Sequence, residues 1–135
     1  MNQRINKYLL WIITAAYALL IFYLSITPQS GLFTFSYMDK LLHFVAYAGL
    51  GFLCAWALRF SITASWRSII FVAVCIATLY GIFNEIVQMY IPTRSTEFLD
   101  ALANAAGALV GALFAMYISR RIRNVSLHQR QKACH

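Results

Sequence analysis

Nine side chains of types that do chemistry fall in three short stretches of this sequence. Asp39, Lys40, His43 and Tyr47 occupy the first, Glu85, Gln88 and Arg94 the second, and Asp100 and Asn104 the third. His43 beside Asp39 or Glu85 has the parts for moving a proton, because an imidazole titrates near neutrality and a carboxylate can orient it. Lys40 and Arg94 are cations of the kind that clamp phosphate. His43, Glu85, Asp39 and Asp100 are also of metal-ligating type. No His-x-x-x-His or Glu-x-x-His pair brings them together along the chain, so neither a metal nor another cofactor is expected.

These residues sit in an apolar chain. Of 135 residues, 61% are hydrophobic and 11% are charged, against about 25% charged in an ordinary soluble domain. So short a chain cannot hide that much apolar surface from water, whereas lipid as solvent removes the difficulty. A bilayer core of about 30 Å calls for about 20 mostly apolar residues per helix. Residues 8–26, 41–58, 69–90 and 98–119 meet that requirement. The runs are continuous and do not alternate, which favours helices over a barrel. The expected fold is all-α, a polytopic membrane bundle of four transmembrane helices over residues 1–119, with a basic tail at 120–135. The first span is too long for the apolar region of a signal peptide and is expected to remain as an anchor.

The net charge of +7 is unevenly distributed. Arg4, Lys7, Arg59, Arg67, Arg120, Arg121, Arg123, Arg130 and Lys132 all flank helix ends on one side of the membrane, nine of the eleven cations. The positive-inside rule makes that side cytoplasmic, with both termini there. The tail then serves orientation and touches anionic lipid, and no nucleic-acid partner is expected. The four acids, Asp39, Glu85, Glu97 and Asp100, lie near the opposite ends of the helices.

Helical spacing groups the polar residues. Asp39, His43 and Tyr47 share one side of helix 2, Glu85 and Gln88 one side of helix 3, and Asp100, Asn104, Gly107 and Gly111 one side of helix 4. His43 and Asn104 lie one turn, about 6 Å, below the Asp that opens their helices. Lipid would leave these groups unsatisfied, so each face is expected to point into the bundle and form one layer. Gly107-x-x-x-Gly111 is expected to admit a close helix neighbour. Asp39 and Asp100 can act as N-caps. Glu85 lies near a helix C-terminus, where the dipole disfavours its charge, and so needs a cation, a metal or a proton of its own. Arg94 is first in line, with His43 and Lys40 behind it. The openings "DKLLH" and "DALAN" echo each other, and either a duplicated hairpin or chance would produce the echo.

"MDKLLHFVAYAGLG", "YGIFNEIVQMYIPTRS" and "FLDALANAAGALVG" together resemble the VanZ-like family of small bacterial membrane proteins. The matching features are Asp39-Lys40-x-x-His43 with Tyr47, Glu85-x-x-Gln88, Arg94, and Asp100-x-x-x-Asn104-x-x-Gly107, in order, over about residues 8–118. The resemblance implies a four-helix membrane layout and marks Asp39, His43, Glu85, Gln88, Arg94, Asp100 and Asn104 as functional candidates. The family's namesake is associated with resistance to the glycopeptide teicoplanin, and most members have no assigned reaction.

Two functions from different classes follow. In the first, the polar layer binds or acts on an envelope component at the outer face, such as a phosphate-bearing lipid headgroup or a cell-wall precursor, with membrane lipids as partners. Asp39, His43, Glu85, Arg94 and Asp100 are then the reactive candidates, and Lys40, Tyr47, Gln88 and Asn104 the binding ones. In the second, the same groups only hydrogen-bond one another and hold the bundle together. A transport path is disfavoured because no polar residues continue toward the basic side.

Overall fold

The computed structural model describes residues 3–27, 36–91 and 97–133, with side chains over 7–27, 38–91 and 97–125. Four helices account for nearly all of it: α1 (Gln3–Ile26), α2 (Ser36–Ser61), α3 (Trp66–Gln88) and α4 (Phe98–Ala133). No strand occurs among the described residues. Each helix contains a stretch long and apolar enough to cross a membrane, Lys7–Ile26, Met38–Ser61, Trp66–Gln88 and Phe98–Val125.

Packing identifies the solvent. The buried interior is rich in small residues, among them Ala55, Ala57, Ala73, Ala77, Ala108, Ala112 and Ala115. Large apolar side chains such as Leu19, Phe71, Leu79 and Phe114 point outward. Small residues inside and large ones outside is the arrangement of helices packed in lipid, where close backbone approach replaces the hydrophobic drive to bury bulk. The chain is a multi-pass membrane protein.

α2 and α4 form the tight pair. A Cβ on Gly107 would run into the Phe44 carbonyl oxygen, and one on Gly111 into the Ala48 carbonyl oxygen. Gly51 meets the Ala108 backbone in the same way from the other side. The two helices run parallel, because residues 44 and 48 face 107 and 111 in the same order. α3 runs antiparallel to α2 and packs on both α2 and α4.

α1 is held by hydrogen bonds spaced along its length. Trp11 Nε1 donates to Ser61 Oγ (2.8 Å), and Tyr17 Oη to the Ala46 carbonyl (3.2 Å). Ala18 accepts from Tyr80 Oη (2.7 Å), and Ser25 from Gln88 Nε2. The order of these contacts sets α1 antiparallel to α2 and parallel to α3. An even number of passes therefore places the start of α1 and the end of α4 at the same end of the bundle.

The helix ends have local causes. Ser65 caps α3, its hydroxyl accepting from Ser68 N–H at 3.2 Å. α3 stops at Gln88, two residues short of the expected end. Tyr90 and Ile91 bond back only three residues, to Val87 (3.1 Å) and Gln88 (2.9 Å), in a tight turn just before Pro92. Segment 120–133, read as a tail, continues α4 as helix. No Gly or Pro occurs between Gly111 and Ala133, and Arg, Gln and Lys are good helix formers.

Candidate functional site

The polar residues gather where α2 and α4 begin and α1 and α3 end. Asp39 and Asp100 lie inside the first turns of α2 and α4 and are not the capping residues expected. α2 begins three residues ahead of Asp39, at Ser36, and α4 two residues ahead of Asp100, at Phe98, whereas a cap must precede the first helical residue. First-turn positions still meet the positive end of each helix dipole.

His43 is the hub. Its Nδ1 lies 3.0 Å from Asn104 Oδ1 on α4 and 3.7 Å from Glu85 Oε1 on α3. An amide oxygen only accepts, so this contact is made with the proton on Nδ1. The His43 ring, one Asp39 oxygen and one Asp100 oxygen lie within 4.8 Å of one another. The matching positions of the two echoed helix openings thus face each other at one depth.

Lys40 closes the rim. Its Nζ bonds Glu97 Oε2 at 2.6 Å and stands 3.7 Å from Asp100 Oδ1. The side chain of Asp100 is 3% exposed, that of His43 14% and that of Glu85 13%. Asp100 is therefore sealed in, whereas His43 and Glu85 keep an edge open.

Two expected site residues have partners of their own. Tyr47 is buried and accepts from Asn84 Nδ2 at 2.8 Å. Gln88 donates to both Ser25 Oγ (2.8 Å) and the Ser25 carbonyl (3.2 Å), away from His43. Arg94, the first partner expected for Glu85, lies outside the described residues; His43, a further candidate, lies 3.7 Å from Glu85. The structure thus brings together Asp39, Lys40, His43, Glu85, Asp100 and Asn104.

Sequence reasoning passed over Asn84, Gly81 and Glu97 as site residues. Gly81 lies beneath the cluster, where a Cβ would come to 3.0 Å from Asn104 Nδ2 and 3.1 Å from Tyr47 Cε1. Gly81, Asn84 and Gln88 lie on the buried face of α3 with Ala73 and Ala77. That shared face was the available signal.

The network is incompletely paired. Five buried polar atoms among the described residues have no hydrogen-bond partner: Thr78 Oγ1, Asn84 Oδ1, Glu85 Oε1, Asp100 Oδ1 and Asn104 Nδ2. Four of the five belong to this cluster or to Asn84 beside it. Buried polar atoms are nearly always paired, because an unmade bond there costs about 1–3 kcal/mol. Concentrated in one place, such atoms mark a location where something besides packing is served.

No curated protein and no solved structure matches the chain. A model of the VanZ/LLP1 family matches residues 2–120, a stretch that holds the first three membrane-spanning segments and most of the fourth. The chain belongs to the VanZ/LLP1 family.

Proposed function

We propose that the cluster around His43 is the working site of this membrane protein, and that it engages the headgroup of an envelope component on the side away from the cytoplasm. The ligand class is a phosphate-bearing lipid or cell-wall precursor. Lys40, with Arg94 in the adjoining connection, receives the phosphate. His43, with Glu85 behind it, handles a proton of the bound group. A role in glycopeptide tolerance, as in the family's namesake, is compatible with such a ligand.

The observation that carries this is the set of buried atoms on Glu85, Asp100 and Asn104 that lack a close hydrogen bond, the two carboxylate oxygens having their nearest cationic groups only at 3.7 Å. A network serving packing alone would pair its own members, since a half-paired network is worse than an apolar core. Orientation is supported by charge. Arg59 and Arg67 flank the α2–α3 turn, and Arg120, Arg121 and Arg123 end the α4 span, all opposite the acids. The positive-inside rule assigns that end, and both termini, to the cytoplasm of a bacterial inner membrane.

Tyr47 and Gln88 favour a second role for part of the set. Their completed bonds to Asn84 and Ser25 are those of helix ties. The two roles separate in a deletion strain complemented with His43→Ala, Glu85→Gln or Asp100→Asn. Loss of the envelope phenotype at wild-type membrane levels is expected. Full complementation by all three would remove the site from consideration.

A further inference from the structure

The cluster holds more negative charge than its described cations balance. Asp39, Glu85, Glu97 and Asp100 surround Lys40 and His43, and Lys40 is engaged closely by Glu97. Asp100 Oδ1 is buried and accepts no hydrogen bond, with the nearest ammonium at 3.7 Å. A carboxylate held this way, inside a membrane-spanning helix, takes either a proton or a cation at closer range.

The geometry supplies three ligands for one. Asp39 and His43 stand one turn apart on α2, and Asp100 comes from the parallel helix α4. One atom from each falls within 4.8 Å of the others, a spread that a single ion can bridge. One tautomer of His43 also suits it. In the tautomer that donates Nδ1–H to Asn104 Oδ1 at 3.0 Å, the Nε2 lone pair is available. Metal-bound histidines are held in this way, the second ring nitrogen donating to an oxygen that fixes the ring. Glu85, 3.7 Å from the same Nδ1, reinforces that orientation.

We propose that Asp39, His43 and Asp100 bind one divalent transition-metal ion, of the Zn2+ or Mn2+ type, with Asn104 as the positioning residue for His43. Two carboxylates and one imidazole suit these ions. Three protein ligands leave a coordination position open toward the rim formed by Lys40 and Glu97. The spacing along the chain hides this site, because one ligand lies 57 residues from the next and only the parallel α2–α4 pairing joins them. The metal site occupies His43, one ring nitrogen on the ion and the other facing Asn104, and so replaces the proton-handling role given to His43 above while leaving the phosphate ligands unchanged. Its failure would leave Lys40 and Arg94 as the phosphate ligands.

The test uses the full chain, purified in detergent without a histidine tag, stripped with chelator and reloaded with Zn2+ or Mn2+. Its three histidines are His43, His128 and His135, so His128→Ala/His135→Ala leaves His43 as the sole imidazole. One equivalent of bound Zn2+ is expected in the wild type and in this double variant. His43→Ala and Asp100→Asn are expected to lose it, and Asn104→Ala to weaken it about 10–100-fold. Mn2+ in the double variant is expected to show nitrogen coupling by pulsed electron paramagnetic resonance. This measurement decides the matter even if the ligand variants fail to fold. Absence of stoichiometric metal in the wild type, retention of metal by folded His43→Ala, or absence of nitrogen coupling would each overturn the site.

Discussion

His43 Nδ1 lies 3.0 Å from Asn104 Oδ1, joining α2 to α4 one turn below the two first-turn aspartates. Around this bond the protein keeps both its best-packed helix pair and its least satisfied polar atoms. Packing and site are therefore separable by mutation.

The α2–α4 seam is expected to be the most sensitive to added volume. Gly111→Ala places a methyl group against the Ala48 carbonyl, which is backbone and cannot swing away. Overpacking of this kind costs about 1–3 kcal/mol. Gly49→Ala meets the ring and hydroxyl of Tyr17 on the loosely tied α1, which can shift. Thermal melting in detergent should rank Gly111→Ala well below Gly49→Ala. The reverse order would contradict the parallel α2–α4 contact.

Tyr47→Phe removes only the hydroxyl that accepts from Asn84 Nδ2. Asn84 Oδ1 already lacks a partner, so the amide would keep only its contact with Tyr80. A loss of about 1–3 kcal/mol is expected. Envelope complementation at matched protein levels should be unchanged, because Tyr47 ties helices and is not placed in the site. Loss of complementation by a stable Tyr47→Phe protein would return Tyr47 to the site.

Much of this was legible in the sequence, and the remainder was not for definite reasons. Apolar run length gave the four spans to within a few residues, except where α4 carries helix through its basic end. Gly107-x-x-x-Gly111 announced a close neighbour, yet nothing in one helix states which helix that is. Glu85 was recognised as needing a partner. Proximity along the chain put Arg94, outside the described residues, first; helix packing brings a further candidate, His43, 42 residues away, beside Glu85. Asn84 was hidden because helical spacing defines a face but not its direction before the helices are packed.

Lys40 and Glu97 test the rim. Glu97 is 46% exposed and the pair is worth little to stability, about 0–1 kcal/mol. Glu97→Gln should therefore melt near the wild type, whereas Lys40→Met also removes the ammonium nearest buried Asp100 and should melt lower. Retention of anionic phospholipid through purification, read by native mass spectrometry, should fall. Unchanged lipid retention would remove Lys40 from phosphate binding.

Orientation is testable by cysteine labelling. In a background with Cys54, Cys75 and Cys134 changed to Ala, Gln29→Cys should react with an impermeant maleimide in cells whose outer barrier has been opened. Thr63→Cys, in the turn between α2 and α3, should react only after the inner membrane is permeabilised. The opposite pattern would invert the bundle and place the His43 cluster in the cytoplasm.

The most direct measurement compares stability and function in one substitution, Glu85→Gln. Glu85 Oε1 is buried without a hydrogen bond, a feature that costs stability and is retained where function requires it. If the cluster is a working site, Glu85→Gln melts at or above the wild-type temperature and loses envelope complementation at equal membrane levels. A lower melting temperature with complementation intact per folded molecule would contradict the account and make Glu85 a packing residue.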